Sequence, residues 1–265
     1  MSKNQITKKE ESLIVNNSIM DIMSADAQDY RDNTDTNEIS MPRLRILQSG
    51  SKEVKKANKA EYIEGSEEGD LFNTLTKKIY KGEDGLYFVP ASRRITYLEW
   101  RDRQKGGGLV NNFGEDSTVY LNSTLGENGK RISKDCNEIV KTYDFFGFII
   151  DMESNDVSEV VLSMSKTQVK KAKDWNALIR NETDKNSGRQ LPEYAVYYKL
   201  KTFVESNDKG SWFNYNITRG DFTLLINNIG SQVYERAKFL NKNFSQSNVK
   251  VNYEEEDYSE INDKV

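Results

Sequence analysis

Aromatic rings alternate with cationic side chains in the segment PEYAVYYKLKTFVESNDKGSWFNYNI, which spans residues 192–217. The tetrapeptide NDKG at 207–210 is a turn signal, so the flanking runs are predicted to pair as a hairpin with Glu205 opposite Trp212. Successive side chains of a strand point to opposite sides, which predicts one apolar face and one mixed face. The mixed face carries Tyr197, Lys199, Lys201, Phe203 and Trp212.

The rings and lysines of the mixed face indicate which kind of ligand it could bind. Burial of two unpaired lysines would be strongly unfavourable, so the face is predicted to be exposed. Exposed rings can stack on nucleic-acid bases while ammonium groups neutralise the phosphates, and this combination tolerates any base sequence. The alternative is that another part of the chain covers the rings.

A second segment, RRITYLEWRDRQKGGGLV at 93–110, offers the same residue types. Neither side of its strand pattern is purely apolar, which predicts an edge strand beside a groove. The glycines at 106–108 either let backbone amides approach phosphates or form a plain flexible loop, and they lack the Walker spacing. The candidate binding residues of this segment are Arg93, Arg94, Tyr97, Trp100, Arg101, Arg103 and Lys105.

Two amphipathic helices are predicted. The first begins at Ser165, with Gln168 at the position of a capping box and Trp175 on the apolar side. The opposite side of this helix carries lysines that either contact a polyanion or form an ordinary solvated face. These lysines are Lys166, Lys170 and Lys173. The second helix is predicted to begin near Thr218.

Three apolar runs predict the remaining strands. The run at 86–101 contains Pro90, which forces an edge, a bulge or a break. The run at 137–152 is the most apolar and is predicted to be a central strand, and the run at 157–164 is predicted to pair with it as a hairpin. The fold class is therefore predicted as mainly β (α+β), an OB-fold-like antiparallel barrel with two amphipathic helices and disordered acidic termini.

Composition excludes several classes of site. The 265 residues contain no histidine and one cysteine, Cys136, which excludes zinc sites that need histidine, serine–histidine triads and an internal disulfide. No apolar run reaches membrane-spanning length and no secretion signal opens the chain, which predicts a cytoplasmic protein that does not contact membranes. No cofactor, metal or small-molecule substrate is predicted.

Charge is distributed unevenly along the chain. Residues 1–40 carry a net charge of −4 and residues 254–265 a net charge of −5, which leaves +5 for residues 41–253 although the whole chain has −4. The ends are therefore predicted to be a disordered N-terminal segment, 1–40, and a flexible acidic tail, 246–265. The folded, mildly basic domain is predicted to span 41–245.

Three segments together resemble a known family. GLYFVPASRRITYLEWRDRQKGGGLV, VVLSMSKTQVKKAKDWNALI and YKLKTFVESNDKGSWFNYNI are similar to the phage single-stranded DNA-binding proteins of lytic podophages, the coliphages that carry a virion RNA polymerase. The resemblance covers about residues 41–240 and implies a non-catalytic OB-like barrel. It implies that the protein coats exposed strands during phage DNA replication and recombination in the cytoplasm of the infected bacterium. By motif match it assigns DNA contact to Arg94, Tyr97, Trp100, Arg101, Lys199, Lys201 and Trp212.

The resemblance also implies that the acidic C-terminus recruits replication proteins or RNA polymerase. Six carboxylates can occupy a basic groove when DNA is absent, and a polynucleotide would displace them. The chain ends Asp-Lys-Val and lacks the apolar–aromatic pair of the bacterial pattern, so the partner is not identified. The tail residues concerned are Glu254, Glu255, Glu256, Asp257, Lys264 and Val265.

Two other classes of protein stay open at this level. A Mg²⁺-dependent nuclease needs clustered carboxylates, and Asp144, Asp151 and Glu153 lie near the most apolar strand. A phage structural or protein-interaction module would use the exposed rings to bind protein. Salt separates these classes, because binding to DNA through several lysines and arginines weakens steeply as salt rises.

Overall fold

A computed structural model of the protein describes residues 40–126, 129–152, 154–208, 210–220, 228–244, 250–251 and 253. The strands in this part of the chain are β1 Ser40–Met41, β2 Leu44–Ile46, β3 Leu71–Asn73, β4 Ile79–Tyr80, β5 Leu86–Trp100, β6 Leu109–Asn112, β7 Thr124–Leu125, β8 Arg131–Ile132, β9 Glu138–Ile150, β10 Val157–Met164, β11 Tyr198–Asn207, β12 Gly210–Arg219 and β13 Lys250–Val251. The α-helices are α1 Thr118–Leu121, α2 Val169–Asn181 and α3 Asn228–Phe244.

The main sheet is antiparallel and is built around β5 and β9, which pair along nearly their whole lengths. The strand order is β12-β11-β5-β9-β8-β7, while β10 also pairs with β9 and β6 with β5. The two long strands therefore have different neighbours at their two ends, and the sheet curls into a half-barrel. The predicted central strand at 137–152 is confirmed by β9. The predicted edge strand at 93–101 is correct only in part. Residues 98–100 pair with β6 as well as with β9, whereas within the described residues β9 is the one partner strand of 93–96.

A β-bulge accommodates Pro90 within this central strand. Pro90 and Ser92 lie opposite neighbouring residues of β9, so Ala91 is an extra residue in β5. An extra residue shifts the alternation of side chains by one position. Phe88 before the bulge and Ile95 after it consequently belong to the same apolar cluster.

Gly147 allows β5 and β9 to approach at the bulge. It lies opposite Pro90, and a Cβ atom on it would be 2.1 Å from the carbonyl oxygen of Val89. Backbone atoms cannot move away as a flexible side chain can, so any larger residue here would push the two central strands apart.

Both predicted hairpins are confirmed. β10 pairs with β9 along its whole length. β11 pairs with β12 in the predicted register, with Glu205 opposite Trp212, so the turn signal at 207–210 is sufficient to set the pairing. The predicted apolar face of the second hairpin contributes Tyr198, Leu200 and Tyr215 to the core.

Helix α2 packs on one face of the sheet. The Trp175 ring stacks on Phe145 with ring centres 4.1 Å apart and meets Phe88 edge-on. The short sheet β2-β3-β4 contributes apolar side chains to the same cluster. The predicted buried side of the helix is confirmed, with Ala172, Trp175 and Ile179 all buried.

The start of this helix differs from the prediction in one respect. A 3₁₀ turn, Lys166–Gln168, leads into α2, and the Ser165 side chain makes no capping hydrogen bond. The backbone of Lys166 has a φ of 50°, in the left-handed region that few residues with side chains adopt. The chain therefore turns sharply between β10 and α2 instead of entering the helix through a capping box.

Helix α3 covers the opposite face of the sheet, where Val233 and Ala237 pack with Val89 and Phe148. The prediction that this helix begins near Thr218 is wrong, because β12 extends to Arg219. The described helix begins at 228, and residues 221–227 lie outside the described part of the chain.

The C-terminal residues also belong to the folded body. β13 pairs in parallel with β1, and both Val251 and Tyr253 are buried. The Tyr253 hydroxyl donates a 2.6 Å hydrogen bond to the fully buried carboxylate of Asp144. That carboxylate also accepts hydrogen bonds from Thr96 and Ser163.

The prediction of a flexible tail from 246 onward is therefore corrected at Val251 and Tyr253, whose apolar side chains enter the core, and at 250–251, whose backbone forms β13. The tail residues Glu254, Glu255, Glu256, Asp257, Lys264 and Val265, and residues 1–39 of the predicted disordered segment, lie outside the described residues.

The protein has the predicted fold class, a mainly β, OB-like α+β fold with a curled antiparallel sheet and few helices. Within the described ranges, no helix is both long enough and apolar enough to cross a membrane.

Candidate nucleic-acid interface

One face of the β5–β9 pair changes from apolar to basic along its length. Three cross-strand pairs share this face by alternation. They are Arg93 with Phe145, Ile95 with Tyr143, and Tyr97 with Lys141. Trp175 of α2 covers the face at Phe145, and beyond that point two clefts open on it.

The first cleft, which we call the arginine cleft, has a volume of about 540 Å³. Its lining includes Arg93, Tyr97, Tyr143, Asn176 and Arg180, together with the exposed Glu115. The Nη1 group of Arg93 donates a 2.6 Å hydrogen bond to Oδ1 of Asn176, so a strand residue is tied to α2 across the cleft.

The second cleft, which we call the lysine cleft, has a volume of about 580 Å³ and shares Tyr143 with the first. Its basic lining residues are Lys130, Arg131, Lys141, Lys166 and Lys173. Among the described lining residues, Glu138 is the one carboxylate, at 3.6 Å from Nζ of Lys130 and 3.8 Å from Nζ of Lys166. The cleft therefore keeps a clear excess of positive charge.

One side of α2 forms a wall of both clefts. Val169 and Lys173 line the lysine cleft, and Asn176 and Arg180 line the arginine cleft. Their spacing of four, three and four residues places all of them on one face of the helix. We call the two clefts together the basic groove.

Three tyrosines lie in the basic groove beside cations. Tyr97 and Tyr143 are buried, and the half-buried Tyr120 lies 5.5 Å from Tyr97 between ring centres. The Arg131 guanidinium lies 5.2 Å from the centre of the Tyr120 ring. Of the three rings, Tyr120 is therefore the one with most surface available for stacking.

Five predicted binding residues line the groove, namely Arg93, Arg94, Tyr97, Lys166 and Lys173. Tyr97 is only 7% exposed, which corrects its predicted role as a stacking ring to that of a residue in the groove floor. The backbone of Lys166 adopts a left-handed conformation, which turns the chain from β10 toward α2, the helix that forms one wall of the groove.

The predicted stacking roles of Trp100 and Tyr197 are wrong, because these side chains are only 1% and 2% exposed and cannot stack on a base. Trp100 is on the opposite face of a central strand, in the cluster that includes Val251. Tyr197 is sealed by Gly220, on which a Cβ atom would lie 2.0 Å from the ring. Sequence alternation assigned Trp100 to the right strand and Tyr197 to the position just before β11, but other elements cover both rings.

Arg94 is also among the residues that line the arginine cleft, but its guanidinium lies against internal groups. Its guanidinium carbon lies 5.0 Å from the centre of the Phe146 ring and 5.8 Å from that of Phe244, and Nε is 3.7 Å from Asp144. The predicted DNA contact for Arg94 is corrected, because its guanidinium packs between internal groups.

The mixed face of the β11–β12 hairpin is less open than predicted. The ammonium of Lys199 lies 5.6 Å from the centre of the Tyr87 ring, and that of Lys171 lies 4.7 Å from the centre of the Phe203 ring. Lys201 and Trp212 are half-buried. This face is therefore partly covered by side chains of the same molecule and is not an open platform of rings.

Other predicted residues lie outside the groove lining. Arg101 and Lys105 are exposed at the β5–β6 connection, where Gly106, Gly107 and Gly108 all have positive φ. The Gly107 amide donates to the Asp102 carbonyl at 3.0 Å, so it supports the turn. Lys170 is exposed on α2, and the side chain of Arg103 lies outside the described residues.

The sequence prediction missed several groove residues, namely Tyr120, Lys130, Arg131, Lys141, Tyr143 and Arg180. Lys141 and Tyr143 carried a usable signal, since a lysine two residues before a tyrosine in the most apolar strand marks a face that is not wholly core. Arg180 also carried one, seven residues after Lys173 on the same helix face. Lys130 and Arg131 lie in a connection with no periodic pattern.

The two described carboxylates considered for a nuclease, Asp144 and Asp151, have separate partners. Asp144 is buried beneath three hydroxyl groups, Asp151 is ion-paired with Lys78, and Glu153 lies outside the described residues. In the described part of the chain, no group of three or more acidic or cysteine side chains is arranged to hold a metal ion.

The fold is an OB-like α+β fold, and a basic groove lies on one face of its curled sheet. The chain belongs to the Pam3 phage gp34-like protein family, whose family model matches residues 8–250. Neither the curated proteins nor the solved structures that were compared with it include a significant match.

Proposed function

We propose that the protein binds single-stranded DNA in the basic groove without sequence preference. The observation that carries the proposal is the excess of positive charge on one face. The lining includes Arg94 and Asp144, which face each other with opposite charges. The remaining basic residues of the described lining are Arg93, Lys130, Arg131, Lys141, Lys166, Lys173 and Arg180, against the carboxylates of Glu115 and Glu138. A surface of this charge attracts a polyanion, because each neutralised phosphate releases bound counterions.

The groove favours a single strand over a duplex. Its floor contains tyrosine rings, and Tyr120 presents a half-buried ring beside the Arg131 guanidinium. Bases of a single strand can turn toward such rings, whereas duplex bases are stacked inside the helix. OB-like folds commonly bind oligonucleotides, which supports the proposal by analogy only.

The family match agrees with a role in phage biology, since the family is named for a phage protein. The proposed role is to coat exposed strands during phage DNA replication and recombination in the host cytoplasm, as the resemblance to podophage single-stranded DNA-binding proteins implies. No catalytic step is proposed. The acidic residues after Tyr253 are proposed to contact replication proteins or RNA polymerase.

The proposal is tested by binding of a fluorescein-labelled dT oligomer, followed by anisotropy, with unlabelled single-stranded and duplex competitors of equal length. The expected result is displacement by the single strand at much lower concentration than by the duplex. Equal displacement by both would contradict the proposal. Absence of any binding at low salt would favour a structural or protein-interaction module.

A further inference from the structure

Arg93 is held from two sides at the edge of the arginine cleft. Its Nη1 group donates to Oδ1 of Asn176 at 2.6 Å, and its Nε lies 3.1 Å from Oε2 of Glu193. About 30% of the Arg93 side chain remains exposed. The guanidinium group is therefore fixed in place but still accessible, and its fork has more donors than these two contacts use.

Glu193 is an unusual neighbour for a surface that would bind an anion. It lies in the 3₁₀ turn Glu193–Ala195, and its side chain is mostly buried. Burial raises the pKa of its carboxyl group, while the adjacent Arg93 guanidinium acts in the opposite direction. Glu193 is not among the described residues that line the arginine cleft, so its carboxylate can orient the guanidinium without occupying the cleft.

Arg180 brings a second guanidinium to the same cleft. It lies four residues after Asn176 on α2 and is exposed. Planar guanidinium groups form paired hydrogen bonds to phosphate oxygens, which a lysine ammonium does not match. Two arginines with an amide between them are a suitable set of donors for one phosphate group.

We propose that the arginine cleft is a phosphate subsite, in which Arg93 and Arg180 bind one phosphodiester group and Asn176 and Glu193 position Arg93. This inference rests on the proposed binding of a single strand in the basic groove. It adds that one phosphate is held by a preorganised site, whereas the lysine cleft follows the rest of the strand through flexible ammonium groups.

Substitution of Glu193 distinguishes two explanations of its role, because they predict opposite changes in the affinity for the strand. If Glu193 were only a negative charge near the strand, Glu193→Gln would tighten binding. If Glu193 positions Arg93, the same substitution weakens binding, because a loosened side chain must be ordered when the strand binds. The expected effect is a loss of about threefold in affinity.

The experiment measures Kd for a labelled dT oligomer over a salt series, with melting temperatures as a check on folding. Arg93→Gln and Arg180→Gln are each expected to weaken binding about tenfold. The double variant should reduce the magnitude of the slope of log K against log salt by about 0.7, the share of the one phosphate that both arginines bind. Arg93→Lys keeps the charge, so the slope stays while affinity falls. Lys56→Gln, in an exposed loop outside the lining of both clefts, is the matched control and should change neither quantity.

The outcomes separate this inference from the proposed function. The subsite is overturned if Lys173→Gln weakens binding while Arg93→Gln does not, or if Glu193→Gln tightens it, and the groove then still binds the strand. The proposed function fails if the unaltered protein does not bind the oligomer. Competition by free dTMP as effective as that by the oligomer, per phosphate, would assign the cleft to a mononucleotide and overturn the phosphodiester subsite.

Discussion

Lys141 and Tyr143 lie two residues apart on β9, and the ammonium group of Lys141 lies 5.3 Å from the centre of the Tyr143 ring. A cation over an aromatic face at an exposed site contributes about 0.5–1 kcal/mol. The contact holds a positive charge against the sheet, near the start of a strand that is otherwise largely core. The basic groove thus presents charge and aromatic surface from the same strand.

Replacement of the Tyr120 ring tests stacking. Tyr120→Leu is expected to reduce the free energy of binding to a dT oligomer by about 1–3 kcal/mol if one base stacks on this ring. Tyr120→Phe keeps the ring and should bind nearly as well as the unaltered protein. Anisotropy titration of both variants checks this, and equal affinities for Tyr120→Leu and Tyr120→Phe would exclude stacking at this position.

Two buried tyrosines form a matched pair for stability. Tyr253 donates to the buried Asp144 carboxylate, so Tyr253→Phe removes a charge-assisted hydrogen bond and is expected to lower the free energy of unfolding by about 1–3 kcal/mol. The hydroxyl of Tyr198 is buried without a hydrogen-bond partner among the described residues, so Tyr198→Phe should be neutral or stabilising. Urea denaturation measures both, and a larger loss for Tyr198→Phe would contradict the assigned contacts.

Stability is expected to fall at alkaline pH. Burial raises the pKa of both Tyr198 and Tyr253, and nearby Glu182 and Asp144 respectively add to the effect. In the unfolded chain a tyrosine loses its proton near its ordinary pKa of about 10. The folded state keeps these protons. The contribution of the two protonated hydroxyls to the free energy of unfolding is therefore complete below about pH 10, and it is lost as pH rises toward the pKa values of the folded state.

The urea concentration at the midpoint of unfolding, measured between about pH 8 and pH 11, tests whether stability falls in this way. Tyr198→Phe should flatten the decline, since a phenylalanine has no proton to lose. The same decline in this variant and in the unaltered protein would show that other groups cause it.

The acidic C-terminus can be removed without touching the Tyr253 contact. Deletion of residues 254–265 removes a net charge of −5, and it is expected to tighten binding of single-stranded DNA and to flatten its salt dependence at low salt. A full-length variant with the six carboxylates changed to amides should behave in the same way. An unchanged affinity in both variants would leave the tail with a role in recruiting partners or with none.

Local patterns in the sequence were sufficient for the pairing of strands but not for what covers each face. The turn at 207–210 and the alternation beside it predict the β11–β12 register, because both depend on residues close in the chain. Burial of Trp100 and Tyr197 depends on neighbours far away in sequence, such as Val251 for Trp100 and Val89 for Tyr197. Alternation assigns side chains to faces without showing which face another element will cover.

The groove was predictable in part for the same reason. Lys166 and Lys173 follow from the helical pattern beside the buried Trp175. Lys130 and Arg131 reach the lysine cleft only because β8 pairs with the start of β9, a contact that no local pattern near them indicates.

The most direct test of the basic groove compares two double variants that remove the same charge. Lys141→Gln with Lys173→Gln alters the groove, and Lys56→Gln with Lys59→Gln alters exposed lysines in the loop before β3. Binding of a dT oligomer is measured over a salt series for both. The groove variant is expected to bind much more weakly, and the magnitude of its slope of log K against log salt should be smaller by about 1.4. The loop variant should keep the affinity and slope of the unaltered protein. Equal slopes and affinities for the two variants would contradict binding of single-stranded DNA in this groove.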